Sequence, residues 1–327
     1  MRRLCLRIPL LARLLWPDSV VGAAVHAAPV EVTRRMLPSG SGSLEVVRVT
    51  TVLRDGSRRD HVEKVLAPTS AEHDFWTTGL GKDLVREGER FTVVAPTRIR
   101  DSTAGRTLEF SFVSECVEEL GRREAVFDAR LLDTVRAVAE FNGRNRVDAR
   151  LPQAWPPRRA PSVEDLARTF RVPGGAALAL RRRWDRGFAA WTRTRDALLD
   201  APMTVAHNDL HFHNVVHRGG RTILLDLGIA DASPVGAELH TVLRHMRVAG
   251  ADEATIDGMF REYLAVIRDF VPEADEVRVR AAAEVRYFAR FTDTGLASGR
   301  SRFSFESAMA GIARAADLVG EPRAGEE

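Results

Sequence analysis

The chain has 327 residues, 45% of them hydrophobic and 28% charged, with 24 Gly, 15 Pro and two Cys. That composition excludes a disordered chain, a collagen and a disulfide scaffold, and the length suits about two compact units. Forty-eight basic residues oppose 45 acidic ones for a formal charge of +3, with the signs interleaved, so neither a nucleic-acid footprint nor a membrane-binding patch is implied.

The opening residues, Met1-Arg2-Arg3, an apolar run from Ile8 to Trp16 and small residues from Ala23 to Ala28, have the outline of a signal peptide. Arg7, Pro9 and Arg13 interrupt the run, so residues 1–29 read better as an N-terminal extension, a helix or an over-extended start, than as an export signal. No stretch of about 18 uninterrupted apolar residues occurs, so no spanning helix is expected. Cys5 and Cys116 show no CxxC or zinc spacing, and a cytoplasmic location is the expectation.

From Val30 to about Cys116 the pattern is short, alternating and rich in β-branched residues. Strands are expected around Val30 to Met36 and from Glu45 to Leu53, with the Gly/Ser turn Ser39 to Ser43 between them. Arg54 to Ser57 is a hairpin turn into a returning strand, Asp60 to Leu66. Ser70 to Gly79 reads as a short helix, and Arg90 to Ile99 and Thr107 to Cys116 as two more strands. After Glu118 the period becomes helical: Ala125 to Asn142 places Val126, Leu131, Leu132, Val135, Val138 and Ala139 on one stripe. Proline-rich Leu151 to Pro161 is a loop, Leu178 to Leu199 is helical, and Ala237 to Val319 is helical with breaks near Gly250, Pro272 and Gly299. Trp184, Trp191, Tyr287 and Phe288 stand at helical spacing and read as core.

The densest polar segment, His207 to Asn214, runs into a hairpin whose bend is Gly219-Gly220 and whose second strand ends in Leu225-Asp226-Leu227-Gly228. A two-residue Gly-Gly turn sets Asn214 opposite Leu225 and beside Asp226, bringing an amide oxygen and a carboxylate within about 5 to 8 Å. Hard oxygen donors at one hairpin end suit Mg²⁺, which keeps positions for phosphates and water. Asp209, five residues before Asn214, enters the same end. A metal pair with a third carboxylate nearby is what phosphoryl transfer needs.

These residues resemble a family. His-Asn-Asp-Leu-His, four residues from Asp209 to Asn214, a hairpin and then Asp-Leu-Gly look like the catalytic and metal loops of the protein-kinase-like fold. The form is most similar to the aminoglycoside phosphotransferase and choline kinase branch. The resemblance implies an α+β, two-lobed fold: residues 1–29 as extension, 30–118 as a small antiparallel-sheet N-lobe that binds nucleotide, and 119–327 as a mainly helical C-lobe. It implies Asp209 as the catalytic base and Asn214 and Asp226 as magnesium ligands. Lys64 would contact the α- and β-phosphates of ATP, with GTP an alternative donor, and Glu72 would fix Lys64. Of 48 basic residues only Lys64 and Lys82 are lysines, and a compact ammonium kept against an arginine bias agrees with such a role. Backbone N–H groups of Ser39, Gly40, Ser41, Gly42 and Ser43 would cover the phosphates, and Ser114, Glu115 and Cys116 would form the hinge that reads the adenine. The Ser/Gly loop departs from G-x-G-x-x-G, Glu72 follows Lys64 by only eight residues, with Glu87 the substitute, and Asp231 is either a supporting acid or a helix N-terminus.

The activity expected is ATP-dependent phosphorylation of a hydroxyl on a small polar molecule, an antibiotic of aminoglycoside or another type among the candidates. Two rivals stand beside it: a nucleotide-binding module without turnover, and a zinc hydrolase built on His207, His211 and His213. His207 itself reads as a buried structural histidine. A polycationic acceptor needs acids, and the helical tail offers Asp252, Glu253, Asp257, Glu262, Glu273, Asp275 and Glu276, interleaved with arginines as exposed helix faces are. Choline needs an aromatic cage, and the chain holds two Tyr and five Trp.

Overall fold

The computed structural model describes residues 29–37, 43–67, 70–77, 79–102, 105–111, 113, 120–149, 162–290 and 302–320. The chain divides into two compact units, residues 1–77 with 94–119 and residues 78–93 with 120–327.

The first unit is an antiparallel sheet of five strands: β1 (Pro29–Met36), β2 (Ser43–Leu53), β3 (Arg58–Leu66), β5 (Pro96–Ser102) and β6 (Gly105–Ser111), in the order β1-β2-β3-β6-β5. β2 and β3 close around Gly56, whose φ of 83° favours a residue without Cβ, and Asp55 Oδ1 accepts from Ser57 N at 2.8 Å. Helix α1 (Ala71–Thr77) lays Glu72, Phe75 and Trp76 inward. Leu66 and Leu108 are fully buried, each worth about 1.5 to 3 kcal/mol against exposure. The expected strand Arg90 to Ile99 is in fact two, β4 (Phe91–Val93) and β5, which belong to different units. Pro96, which cannot donate to a ladder, opens the second of them. Of the strand expected from Thr107 to Cys116, β6 carries the part up to Ser111, and residues 112 and 114–116 lie outside the described residues.

The second unit begins with the four-residue helix α2 (Gly79–Lys82) and β4, which pairs in parallel with β10 (Arg221–Leu224) beside β9 (Val215–Arg218). A second three-stranded sheet orders β11 (Asp231–Pro234), β8 (Met203–Ala206) and β7 (Arg146–Val147). The helix expected over 125–142 is broken into α3 (Leu120–Ala129) and α4 (Leu131–Arg144) at Arg130, whose φ of −116° and ψ of 21° leave the helical region. Val135, Val138 and Ala139 are fully buried, whereas Val126 and Leu132 face solvent. The break shifts the phase of α3 against α4, so Val126 no longer aligns with the buried face of α4.

Helix α5 (Val163–Phe170) starts at a capping box in which Ser162 Oγ accepts from Asp165 N at 3.0 Å and Asp165 returns the bond to Ser162 N. Helix α6 (Gly174–Asp196) starts four residues earlier than expected. The tail holds α7 (His240–Val248), α8 (Glu253–Ile267), α9 (Glu276–Arg290) and α10 (Arg302–Gly320), with breaks at Gly250 and Pro272 as expected. The Gly299 break lies outside the described residues. Helices α6, α9 and α10 enclose Trp184, Trp191, Tyr287, Phe288 and Phe305, so the aromatics at helical spacing are core. No described helix is long and apolar enough to cross a membrane.

Candidate active site

In the first unit Lys64 sits in mid-strand, in register with Val46 on one side and Leu108 on the other. Its Nζ lies 2.6 Å from Glu72 Oε2, and the two side chains are 12% and 4% exposed. Eight residues are enough to return the chain from β3 onto the sheet face that carries Lys64. Glu87 pairs by an isolated bridge with Thr92 in the second unit, so the substitute partner is not the one used. Ser43 opens β2, while Ser39 to Gly42 and Ser114 to Cys116 lie outside the described residues.

In the second unit the hairpin has the register read from its Gly-Gly bend: Arg221 opposite Arg218 through Leu224 opposite Val215. Gly219 and Gly220 have φ of 58° and 77°, which the turn requires of both. One further bond, Leu225 N to Asn214 O at 2.9 Å, sets Asn214 opposite Leu225. Asp226 follows with a left-handed φ of 57° and an exposed side chain. Asn214 is buried, and its Nδ2 donates to Asp209 O and to Asp209 Oδ2, each at 3.0 Å. The amide nitrogen is thus committed to Asp209, and the amide oxygen is the atom of Asn214 that remains to ligate a cation. His211 Nε2 stands 3.4 Å from Asp209 Oδ2.

His207 is fully buried, and its Nε2 donates to Leu225 O at 2.7 Å, tying the entry of the Asp209 loop to the hairpin end. Burial pushes its imidazole pKa down, which keeps it neutral in that bond. No group with metal-ligand spacing among the described residues contains His207, His211 or His213. The three-residue group that does satisfy metal spacing among the described residues, His61, Glu63 and Glu109, lies on the first unit's sheet, where Arg34 and Arg100 already pair with its two carboxylates. Asp231 is a strand residue of β11, ion-paired to Arg286 at 2.8 Å, and not a helix N-terminus.

A buried polar cluster underlies the loop. Glu238, fully buried, accepts from Asn142 Nδ2 and from the backbone N–H of His207. Asn142 Nδ2 also reaches Val205 O at 3.0 Å, and Tyr263 OH donates to Asn142 Oδ1 at 2.8 Å. Burial raises the Glu238 pKa to about 8, so the carboxyl is protonated at neutral pH. A second buried acid, Glu140, accepts from the backbone N–H groups of Glu89 and Arg90 at 2.9 Å each and so anchors β4. Sequence reasoning misses both acids. The one available signal is that Asn142 and Glu140 interrupt the apolar face of α4.

The family model for the APH phosphotransferase enzyme family matches residues 44–295. No curated protein sequence matches the chain. Among solved structures, choline kinase from Cryptosporidium parvum Iowa II is similar at 14% identity, covering 88% of each chain, with a TM-score of 0.52. Amicoumacin kinase hAmiN, in complex with AMP-PNP, Ca²⁺ and Ami, is similar at 13% identity over 94% of this chain and 95% of that one, TM-score 0.49. Aminoglycoside phosphotransferase APH(4)-Ia is similar at 13% identity over 93% and 98%, TM-score 0.45. With a family match over most of its length and an α+β, two-lobed, protein-kinase-like fold, the chain belongs to the APH phosphotransferase enzyme family and is a small-molecule kinase.

Proposed function

We propose that the chain transfers the γ-phosphoryl group of ATP, or of GTP, to a hydroxyl on a small polar molecule, with Asp209 as the base. The carrying observation is that Asn214 Nδ2 holds the Asp209 carboxylate at 3.0 Å while Asn214 itself sits opposite Leu225, one residue before Asp226. An amide oxygen and a carboxylate of this kind form a hard donor set that fits magnesium, and Asn214 and Asp226 are the residues that would hold it. Magnesium, when bound, neutralises charge on the phosphates and keeps them in line.

The remaining steps belong to the chain itself. Asp209 orients the acceptor hydroxyl and takes its proton as the oxygen attacks phosphorus, and ADP leaves with the cleaved bond's electrons. Lys64, fixed by Glu72, holds the α- and β-phosphates as a point charge.

The charges of the helical tail favour an acceptor that is not a polycation. Asp257, Glu262, Glu273, Asp275 and Glu276 each lie within 3.5 Å of an arginine nitrogen, and Asp252 caps Thr255 N at 2.8 Å. Among the described residues every Tyr and Trp, namely Tyr263, Tyr287, Trp76, Trp184 and Trp191, is buried, so the described Tyr and Trp offer no choline cage. A neutral sugar, a nucleoside or an antibiotic with few amines fits this surface better. The test is a coupled ADP-release screen with ATP and GTP against aminoglycosides, peptide and nucleoside antibiotics, sugars and amino alcohols. Magnesium-dependent ADP release with one hydroxyl class is expected. Nucleotide binding with no release across the whole panel favours the module without turnover instead.

A further inference from the structure

We infer that Asn208, held by Asp231 and Arg286, is a positioning residue that locks the Asp209 loop to the Asp226 loop; the inference rests on the reading of Asp209 as the base. Asn208 lies between the buried His207 and Asp209, and is itself fully buried. Its φ of 64° is left-handed, a conformation that asparagine tolerates better than other residues with a Cβ. The side-chain Nδ2 lies 3.2 Å from Ala206 O, 3.2 Å from Ile229 O and 2.9 Å from Asp231 Oδ1. The first acceptor ends the strand before the Asp209 loop. The other two belong to the segment that follows Asp226, so one amide joins both loops.

The acceptor at the far end is itself immobilised. Asp231 Oδ1 also accepts from Ser233 Oγ, and Asp231 Oδ2 accepts from Arg286 Nη2 at 2.8 Å. Arg286 stands on α9, whose Ala281, Ala282, Ala283, Val285 and Phe288 are fully buried, and its side chain is 12% exposed. A rigid helix therefore fixes an arginine, the arginine fixes a carboxylate, and the carboxylate takes a charge-assisted hydrogen bond from the amide next to Asp209. Rotation about the backbone of residue 208 would swing the Asp209 carboxylate, and a displacement of about 1 Å at a reacting group costs on the order of 10²-fold in rate.

Asn208→Gly keeps the left-handed backbone accessible and deletes the amide, so it separates the staple from the turn. The full-length variant is expected to fold with kcat reduced about 10- to 100-fold and with the nucleotide KM within about threefold. Arg286→Met is expected to do the same, Arg286→Lys to recover part of the loss, and Asn208→Gly combined with Arg286→Met to fall no further than the worse single variant. Hydrogen exchange supplies a readout that needs no acceptor: either variant should speed exchange in both 207–214 and 226–231. Faster exchange in both segments of the variants, alongside a wild type that phosphorylates no acceptor, sinks the kinase reading and leaves the staple standing. A kcat within twofold of wild type in Asn208→Gly, multiplicative losses in the double variant, or faster exchange confined to the mutated segment overturns the inference. Should Asn208→Gly fail to fold, identical kcat in Arg286→Met and Arg286→Lys overturns it.

Discussion

A protonated carboxyl fixed under the Asp209 loop makes stability depend on pH in a definite direction. Glu238 binds its proton with a pKa of about 8 in the fold, against 4.5 for an ordinary glutamate. Because the folded value is raised, its stabilising effect is complete below about pH 4.5 and drains away as pH climbs through 8, on the order of a few kcal/mol in all. Glu238→Gln removes the titrating proton and keeps the size. Urea denaturation at pH 5, 6.5 and 8 should show the wild type losing stability relative to the variant as pH rises, a difference in which the buried histidines common to both cancel; parallel curves contradict the assignment. At this scale the sequence is unequally informative. Asp209, Asn214 and their hairpin register are legible because a Gly-Gly turn dictates pairing. Glu238 and Tyr263 are not, since their importance comes from burial beside Asn142, which no local pattern reveals.

Two glycines in helices make opposite demands. Gly311 of α10 faces Glu284, whose carboxylate pairs with Arg247, and a Cβ at 311 would overlap Glu284 Oε2. Those two side chains are 8% and 10% exposed, so the pair is desolvated and its disruption is expensive. Gly258 of α8 meets nothing within 4 Å. Gly311→Ala should therefore lower stability by about 2 to 4 kcal/mol, against the helix-propensity trend, while Gly258→Ala should raise it by about 0.5 to 1 kcal/mol. Thermal unfolding of the two variants side by side decides the point, and equal shifts contradict it. The same comparison explains which elements are legible. The Gly250 and Pro272 breaks act locally and are read correctly. The helix break at Arg130 has no Pro or Gly to announce it, and only tertiary packing decides it.

Over the whole molecule the chain leaves its first unit at Thr77, adds β4 to the second, and returns at Val94. Fully buried Phe91 anchors that excursion, with its ring 5.5 Å from Phe141 at an interplanar angle of 84°. Phe91→Ala should cost about 3 to 5 kcal/mol, and hydrogen exchange should quicken in α4 and β10 while β1 to β3 are unaffected. Faster exchange confined to the first unit's sheet would place β4 elsewhere. A single strand over 90–99 is the natural reading of the sequence, because a crossover between units leaves no trace in residue alternation. The kinase reading itself is tested most directly by measuring nucleotide affinity and turnover on one preparation of Asp209→Ala. Magnesium-dependent ATP binding should stay within about threefold of wild type while phosphoryl transfer drops by about 10² to 10⁴. Turnover near the wild-type rate would mean that this carboxylate is not the base.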